Sequence, residues 1–563
     1  MPPAQERFLF LHSMNRPLIL ALLTGALLGA AFPPSPFGAL AFVAFVPLLL
    51  LWRDHAERLS RPKLFGLLYL TFFIYHGIAN WWVSSWQDAA DPYLFASGIA
   101  LWIAHPVFLS LPWYILASVQ RLWGRGAMLT LAPLLVAGCE WIHGQTDASY
   151  PWLSIGYDMI MSGPYAQLAD IVGVYGLGFL ILVTNVLIVA VISVWQNPAK
   201  RWQFMSALAA LHVLWAGYGL VALGGSEDVV VESDPERLTV ALVQPNIDPW
   251  DKWSSAGDQI TIHRRLVDSA RAGKKGWADV VIWSETAIPS TIRTPANRAD
   301  YDELRRWIDT SGVALVTGFA DLVTYEPGQA PPSARKSALD PTLRYDAFNA
   351  AMVLQKGQTV VPVHHKTMLT PFAERLPFAD QLTFAMSWVE WGVGISAWGK
   401  GRTRIPLPIT IRHGSTVSNI RLGMIVCIES IYPEVARDLV NEGADVLCVI
   451  TNDAWFNGTP GPEQHFVISR MRAIEQRRWL LRCANSGMTG IIAPSGRPSV
   501  RIPAQARAIA VGSAEPLSSR TVYAVVGDVV PIIGAVSALL AFLLTRFPRL
   551  LRKLPIHSNS NQG

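Results

Sequence analysis

The sequence predicts a multi-span α-helical membrane domain of about eight transmembrane helices, with a large α/β domain inserted before the last of them. Three observations carry that expectation. With 51% hydrophobic residues, 15% charged residues and a mean hydropathy of +0.30, the chain is too apolar for an ordinary soluble enzyme. The apolar excess is uneven: residues 17–223 and 529–547 hold long uncharged runs, while 235–525 has the mixed composition of a globular domain. Within that domain, strand-like apolar runs alternate with stretches of helical length, the pattern of an α/β fold. A length of 563 residues leaves room for both parts at about 150 residues per folding unit.

A bilayer core about 30 Å thick needs roughly 20 apolar residues in a helix. Spans are read near 17–32, 37–52, 64–86, 94–119, 127–144, 166–195, 204–223 and 529–547. Pro33-Pro34-Ser35-Pro36 cannot continue a helix, so the first two form a tight hairpin. No small-residue cleavage site follows the first run, which argues against a signal peptide. Gly173, Gly176 and Gly178 lie inside a span and read as helix-packing positions rather than a phosphate loop. His76, Asn80 and His105 are costly at membrane depth; interhelical hydrogen bonding is the plainer reading, a lining for substrate entry the sharper one.

Every second loop is basic. Arg7 and Arg16 precede the first span, Arg53, Arg58, Arg61 and Lys63 follow the second, Arg121 and Arg125 the fourth, and Lys200 and Arg201 the sixth. The tail holds Arg546, Arg549, Arg552 and Lys553, whereas the alternate loops carry Asp88, Asp91, Asp147 and Asp158. This pattern puts both termini in the cytoplasm and the inserted domain on the outer face, the periplasm in a bacterial inner membrane. The expected division is an N-terminus over 1–16, seven helices over 17–225, the inserted domain over 236–522, the eighth helix over 523–547 and a basic tail over 548–563.

In the inserted domain, Leu238–Val243 reads as a buried strand ending at Gln244-Pro245-Asn246, followed by a helix over 259–272 and a strand at Val280–Trp283 that ends at Ser284-Glu285. Helix 301–310, strand 313–319, the strand-like run Thr359–Lys366, helix 432–441 and strand 444–451 continue the alternation. The apolar run Ile420–Val426 delivers Cys427 to the point where a strand turns into a helix. A thiol there is held rigidly and faces the positive end of a helix. Alone, it fits a core cysteine at least as well. Glu285 and Lys366 stand at two other strand ends, however, and a Cys nucleophile needs a base and a donor for the oxyanion. Each of those also has a plain reading, Glu285 as a helix N-terminal acid and Lys366 as a solvated charge.

Three of the four cysteines, Cys427, Cys448 and Cys483, fall in the inserted domain, so at least one thiol stays unpaired, and their spacing fits neither a disulfide scaffold nor zinc. The segment from Phe378 to Trp398 is too apolar for a plain surface loop. It reads either as a lid dipping into the membrane interface, with Trp388 and Trp391 as its anchors, or as a helix on the domain core.

Trp283-Ser284-Glu285-Thr286-Ala287-Ile288-Pro289, His365-Lys366 with Pro371-Phe372-Ala373-Glu374-Arg375-Leu376-Pro377, and Ile425-Val426-Cys427-Ile428-Glu429 resemble the Glu, Lys and Cys motifs of the carbon–nitrogen hydrolase (nitrilase) superfamily. Thr451-Asn452-Asp453-Ala454-Trp455-Phe456, His465-Phe466, Arg470-Met471-Arg472-Ala473-Ile474-Glu475, Asn485-Ser486-Gly487, and Gln244-Pro245-Asn246-Ile247 with Trp253 extend the likeness. Seven spans before the domain and one after it resemble the membrane-embedded members that acylate lipoproteins. Ser284 stands where the family commonly has Pro, and Ile428 where an aromatic residue often follows the cysteine.

The resemblance implies an αββα sandwich and a ping-pong transfer. Glu285 would take the thiol proton of Cys427, the thiolate would attack a phospholipid ester, and Lys366 with the Ile428 N–H would hold the oxyanion. The resulting thioester would pass its acyl chain to the α-amine of an S-diacylglyceryl cysteine on an apolipoprotein. Glu374 is implied as the partner of Lys366 and Glu429 as a support of the elbow, with ordinary polar packing as the alternative for both. Trp253, Trp455 and Phe456 are candidate substrate contacts or core residues. The expected partners are the bilayer, the phospholipid donor and the lipoprotein acceptor; no cofactor, metal or nucleic acid is expected. A membrane-anchored amidase giving the acyl group to water is the rival reading, and a transporter with an outer-face binding domain a more distant one, since few paired charges lie in the spans.

Overall fold

The computed structural model describes residues 4–86, 92–225, 237–254, 256–272, 277–337, 340–384, 398–413 and 416–546. The membrane part consists of helices Ala4–Ala31, Val46–His55, Arg61–Ala79, Pro92–Gly144, Ala169–Ser193, Pro198–Gly224 and Val529–Arg546. Six described stretches are long and apolar enough to cross a membrane, and the longest, Leu94–Gly144, is broken at Gly124, whose φ of 83° leaves the helical region. The chain turns at Pro33–Pro36 between the first two helical stretches, as proline chemistry requires.

Two spans differ from expectation. The helix expected over 64–86 stops at Ala79, because Asn80 leaves the helix at φ −137° and gives its side-chain amide to the Tyr150 hydroxyl at 2.9 Å. A short 3-10 turn, Trp81–Ser84, follows. Gly173 is a break rather than a helical packing position: its φ is 66°, and a Cβ there would run into the Tyr523 ring.

Among its described residues the inserted domain has thirteen strands: β1 Leu238–Gln244, β2 Val280–Ile282, β3 Ala314–Tyr325, β4 Arg335–Lys336, β5 Arg344–Leu354, β6 Val363–His365, β7 Leu407–His413, β8 Thr416–Val426, β9 Val446–Thr451, β10 Leu480–Ala484, β11 Thr489–Ile492, β12 Pro498–Ile502 and β13 Ala508–Ala514. One sheet runs β13-β1-β2-β3-β5-β4 with β6 on β5, the other β12-β11-β10-β9-β8-β7. In each, three parallel strands, β1-β2-β3 and β8-β9-β10, form the centre, and antiparallel strands extend it. Of the strand expected over 359–366, only Val363–His365 pairs.

Strand periodicity explains the layers. Val240 and Leu242 of one sheet meet Leu422, Met424, Val426 and Ile450 of the other in a shared core. The opposite face of the first sheet, with Val243 and Val281, packs on Ile260, Val267, Leu304 and Ile308 of helices Ala256–Arg271 and Arg298–Ser311. The outer face of the second sheet, with Ile425 and Val449, packs on helices Pro433–Asn441 and Gly461–Gln476, in a core that continues into Trp52, Phe72, Tyr157 and Val174 of the membrane part. The result is an αββα sandwich whose second helical layer is shared with the membrane bundle. All four cysteines are free, with Cys448 and Cys483 buried between the sheets.

Candidate active site

Glu285 leaves the carboxyl end of β2 through a turn in which Thr286 adopts φ 43°, a strained value for a β-branched residue. The turn passes so close to β3 that Gly318 is required there: a Cβ would collide with the Thr286 and Glu285 backbone. Gly318 N–H donates to the Ser284 carbonyl at 3.2 Å. The buried Glu285 carboxylate accepts from Asn349 Nδ2 of β5 at 2.7 Å and from Lys366 Nζ at 3.2 Å. Lys366, just past β6, is registered by its own N–H on the Asn349 carbonyl at 2.9 Å, and its ammonium also donates to Glu374 Oε1 at 2.8 Å. The other oxygen of Glu374 accepts from the Thr370 N–H and hydroxyl at 2.8 and 2.9 Å. A carboxylate–ammonium–carboxylate row thus lies under the strand ends, cross-linked by Asn349, which also donates to Glu374 at 3.2 Å.

Cys427 ends β8 with φ 54° and opens the 3-10 turn Cys427–Ile431 ahead of helix Pro433–Asn441. Glu429 ties this elbow to the lysine segment. Its Oε2 accepts from Val426 N–H at 2.7 Å, while Oε1 accepts from the Thr367 N–H and hydroxyl at 2.6 and 2.7 Å and from Met368 N–H at 3.2 Å. From the other side, His465 Nε2 lies 3.2 Å from the Cys427 carbonyl and 2.9 Å from the Ser430 hydroxyl, with its Nδ1 2.8 Å from Asp453 Oδ1. Asp453 in turn takes Arg482 Nη2 at 2.8 Å.

Burial pushes the Cys427 thiol well above its ordinary range and the Glu285 carboxylate adds to that, against the Lys366 ammonium. For Lys366, burial opposes the charge, but Glu285 and Glu374 together outweigh it and hold the amine protonated. The site therefore combines a thiol held neutral by burial with a fixed ammonium. Burial would raise Glu429, yet the His364 contact and the converging N–H donors bring it down to about 2. Asp453 reaches about 2 in the same way, through His465 and Arg482 against burial.

The family model for carbon-nitrogen hydrolase matches residues 239–516, and that for the apolipoprotein N-acyltransferase N-terminal domain matches 24–187. The apolipoprotein N-acyltransferase of Chlorobaculum tepidum is 32% identical over 529 residues, covering 92% of this chain and 94% of that protein. The chain belongs to the apolipoprotein N-acyltransferase family. The namesake from Geobacter metallireducens is 31% identical, covering 92% of each. A carbon-nitrogen hydrolase crystal structure from Helicobacter pylori aligns at 14% identity with a TM-score of 0.34, over 57% of this chain and 97% of that one.

Against the apolipoprotein N-acyltransferase pattern, Ser284 is buried and its hydroxyl has no partner among the described residues, while Ile428 sends its side chain into the core shared with the membrane bundle. Of the expected substrate contacts, Trp455 packs edge-on against Trp250 at 5.4 Å and Phe456 against Trp82 at 4.8 Å. Trp253 falls in helix Pro249–Ser254, but its side chain, like Trp388 and Trp391, lies outside the described residues. Most of the expected lid lies outside them too; of its described part, Phe378, Leu382 and Phe384 are exposed. Asn80 bonds from its helix end to Tyr150 in the loop after helix Pro92–Gly144 rather than between two helices, and the ring nitrogens of His76 and His105 have no hydrogen-bond partner among the described residues.

Cys427, Asp453 and His465 bring three potential ligand atoms within 4.8 Å of one another, a cluster the sequence spacing does not reveal. Their arrangement is that of a hydrogen-bonded support. Asp453 lies on the Nδ1 side of the imidazole, Nε2 faces Ser430 and the Cys427 carbonyl, and the second Asp453 oxygen is taken by Arg482. Sequence reasoning missed Asn349, His465 and Lys252 as parts of the site. Asn349 lies mid-strand on β5, 64 positions from Glu285, and only the Asn in an otherwise apolar run, Phe348–Leu354, hinted at it.

Proposed function

We propose that this chain transfers a fatty acyl group from a membrane phospholipid to the α-amine of an S-diacylglyceryl cysteine at a lipoprotein N-terminus, through a thioester on Cys427. The observation that carries this reading is the pairing of a strained strand-end thiol with the Glu285–Lys366–Glu374 row. In the first half-reaction, Glu285 takes the proton from Cys427 Sγ as sulfur attacks the ester carbonyl, and the Lys366 ammonium with the Ile428 N–H meets the developing oxyanion. The ester C–O bond breaks, and Glu285 returns its proton to the departing lysophospholipid. In the second, the neutral amine attacks the thioester, Glu285 accepts its proton, the C–S bond breaks, and the proton passes to the thiolate. Glu374 positions Lys366, and Glu429 holds the elbow against the lysine segment.

Membrane attachment supports a lipid donor, because both substrates are amphiphiles that a tethered domain can meet without extracting either into water. The topology with basic loops inside and the domain outside is supported by the helix ends. Arg53 donates to Ser193 at 2.7 Å and Arg125 lies 3.8 Å from Glu57, so basic ends gather on one side. On the other side, Trp82 and Trp152 both donate to Gln464 of the inserted domain, at 2.9 and 3.0 Å.

The test is intact-mass analysis of wild type and Cys427→Ser after exposure to phospholipid vesicles. Wild type should gain one acyl mass that hydroxylamine removes, and the variant should gain none that hydroxylamine removes. Adding a diacylglyceryl peptide should then yield N-acylated peptide. Release of free fatty acid alone would leave a hydrolase in place of the transferase.

A further inference from the structure

Lys252 is a buried ammonium that the Glu285–Lys366–Cys427 chemistry leaves unused. It lies on helix Pro249–Ser254 at the end of β1 and is only 1% exposed. Its Nζ donates to the main-chain carbonyl of Glu285 at 2.6 Å and to the Thr286 hydroxyl at 2.8 Å, and it makes no ion pair among the described residues. Burying a lysine without a carboxylate partner is unfavourable by itself. Burial lowers this one to about 8, with Glu285 and Cys427 pulling the other way.

The two acceptors belong to the strained turn. Thr286 sits at φ 43°, Gly318 closes off the β3 side, and Lys252 grips the turn through one carbonyl and one hydroxyl. Glu285 is thus held by two cations: Lys366 on its carboxylate and Lys252 on its peptide. An ammonium has three donors, and two of those of Lys252 are spent on the turn. The Trp250–Trp455 contact braces the same short helix against the loop after β9.

We propose that Lys252 is a positioning residue for Glu285, fixing through the Glu285 carbonyl and the Thr286 hydroxyl the turn that aims the carboxylate. This rests on reading Cys427 as the nucleophile. The ionisable groups around it are Glu285, Lys366, Glu374, Cys427, Asp453 and His465. His263, on helix Ala256–Arg271, also feels Lys252; burial keeps it neutral, down to about 4, and its Nδ1 lies 2.8 Å from the Gln259 carbonyl.

The test follows iodoacetamide alkylation of Cys427 by peptide mass from about pH 6 to pH 10, on full-length protein in detergent. Lys252→Met should slow alkylation roughly tenfold near neutral pH, where Glu285 has to act as the base, and by less toward pH 10, where hydroxide can replace it, and Lys252→Arg should restore most of the rate. A Lys252→Met profile that superimposes on wild type overturns the proposal, as does a loss that Arg fails to rescue, which would indicate packing rather than the two hydrogen bonds donated to the turn. Should Lys252→Met not purify folded, Lys252→Ala, which also lacks a donor, is read in the same way. Failure of the nucleophile reading looks different: wild-type Cys427 would then react no faster than an ordinary buried thiol, and the first half-reaction would give no acyl adduct.

Discussion

At the scale of single residues, Glu429 decides whether Cys427 and Lys366 stay in register. It is fully buried and accepts from Val426 on one side and from Thr367 and Met368 on the other, so one side chain joins two loops that are 62 positions apart in sequence. A carboxamide in its place would turn an N–H₂ toward N–H donors. Glu429→Gln should therefore lose about 2–4 kcal/mol, seen as a lower thermal midpoint. The pH dependence follows from the same contacts. The folded-state value near 2 lies below the ordinary 4.5, so the stabilisation is complete above about pH 4.5 and is lost as pH falls toward 2. Wild type should destabilise steeply over that window. Glu429→Gln should show a shallower slope there, with the remainder carried by Asp453, also near 2. An unchanged acid slope would mean that Glu429 is not held as an anion. Glu285, Lys366 and Cys427 were legible in the sequence because each closes an apolar run. Asn349 and Lys252 were not, because their meaning arises only when β5 and the turn after β1 come beside the Glu285 loop.

At the scale of elements, the legible strands were the parallel ones. β1, β2 and β9 are covered on both faces and read as near-continuous apolar runs, whereas β12, exposed over most of its length, has no such signal. Helix ends were less legible: Asn80 ends its helix through a bond to Tyr150, 70 positions away. Helix packing carries a sharper expectation. Val529–Arg546 lies against Pro92–Gly144 where Gly138 and Gly534 face each other, and a Cβ on either would strike the other helix's backbone. Small residues at such a crossing let two backbones approach within contact. Gly534→Val and Gly138→Val should each force the last helix away and cost more than about 2 kcal/mol, read as aggregation in detergent and a lower thermal midpoint. Gly217→Val, with no atom within 4 Å of its Cβ position, is the control. Equal behaviour of all three variants would refute the close crossing.

At the scale of the whole molecule, the second helical layer of the inserted domain is covered over most of its surface by the membrane part. Phe466, Val467 and Met471 belong to the same continuous core as the membrane helices. The polar contacts across the junction are buried as well. Gln464 donates to the Ala79 carbonyl at 2.6 Å, Glu475 accepts from Val174 N–H at 3.0 Å, Tyr157 donates to the Ile431 carbonyl at 2.7 Å, and Arg477 pairs with Asp170 at 2.7 Å. Tyr157 reaches Ile431 and Ser149 reaches the Tyr432 hydroxyl at 2.9 Å, so the turn opened by Cys427 is braced by residues 274 and 283 positions earlier in the chain than the ones they hold. Removing the membrane part would expose that apolar face, leave the Gln464 side chain without partners and take the Val174 N–H from Glu475, a loss larger than the usual 5–15 kcal/mol stability of a domain can absorb. Residues 237–521 expressed alone should be insoluble or aggregated, and should show no acyl adduct when recovered in detergent. A soluble, monomeric fragment with a cooperative melt would show that the domain folds independently and that the bundle serves only as its anchor.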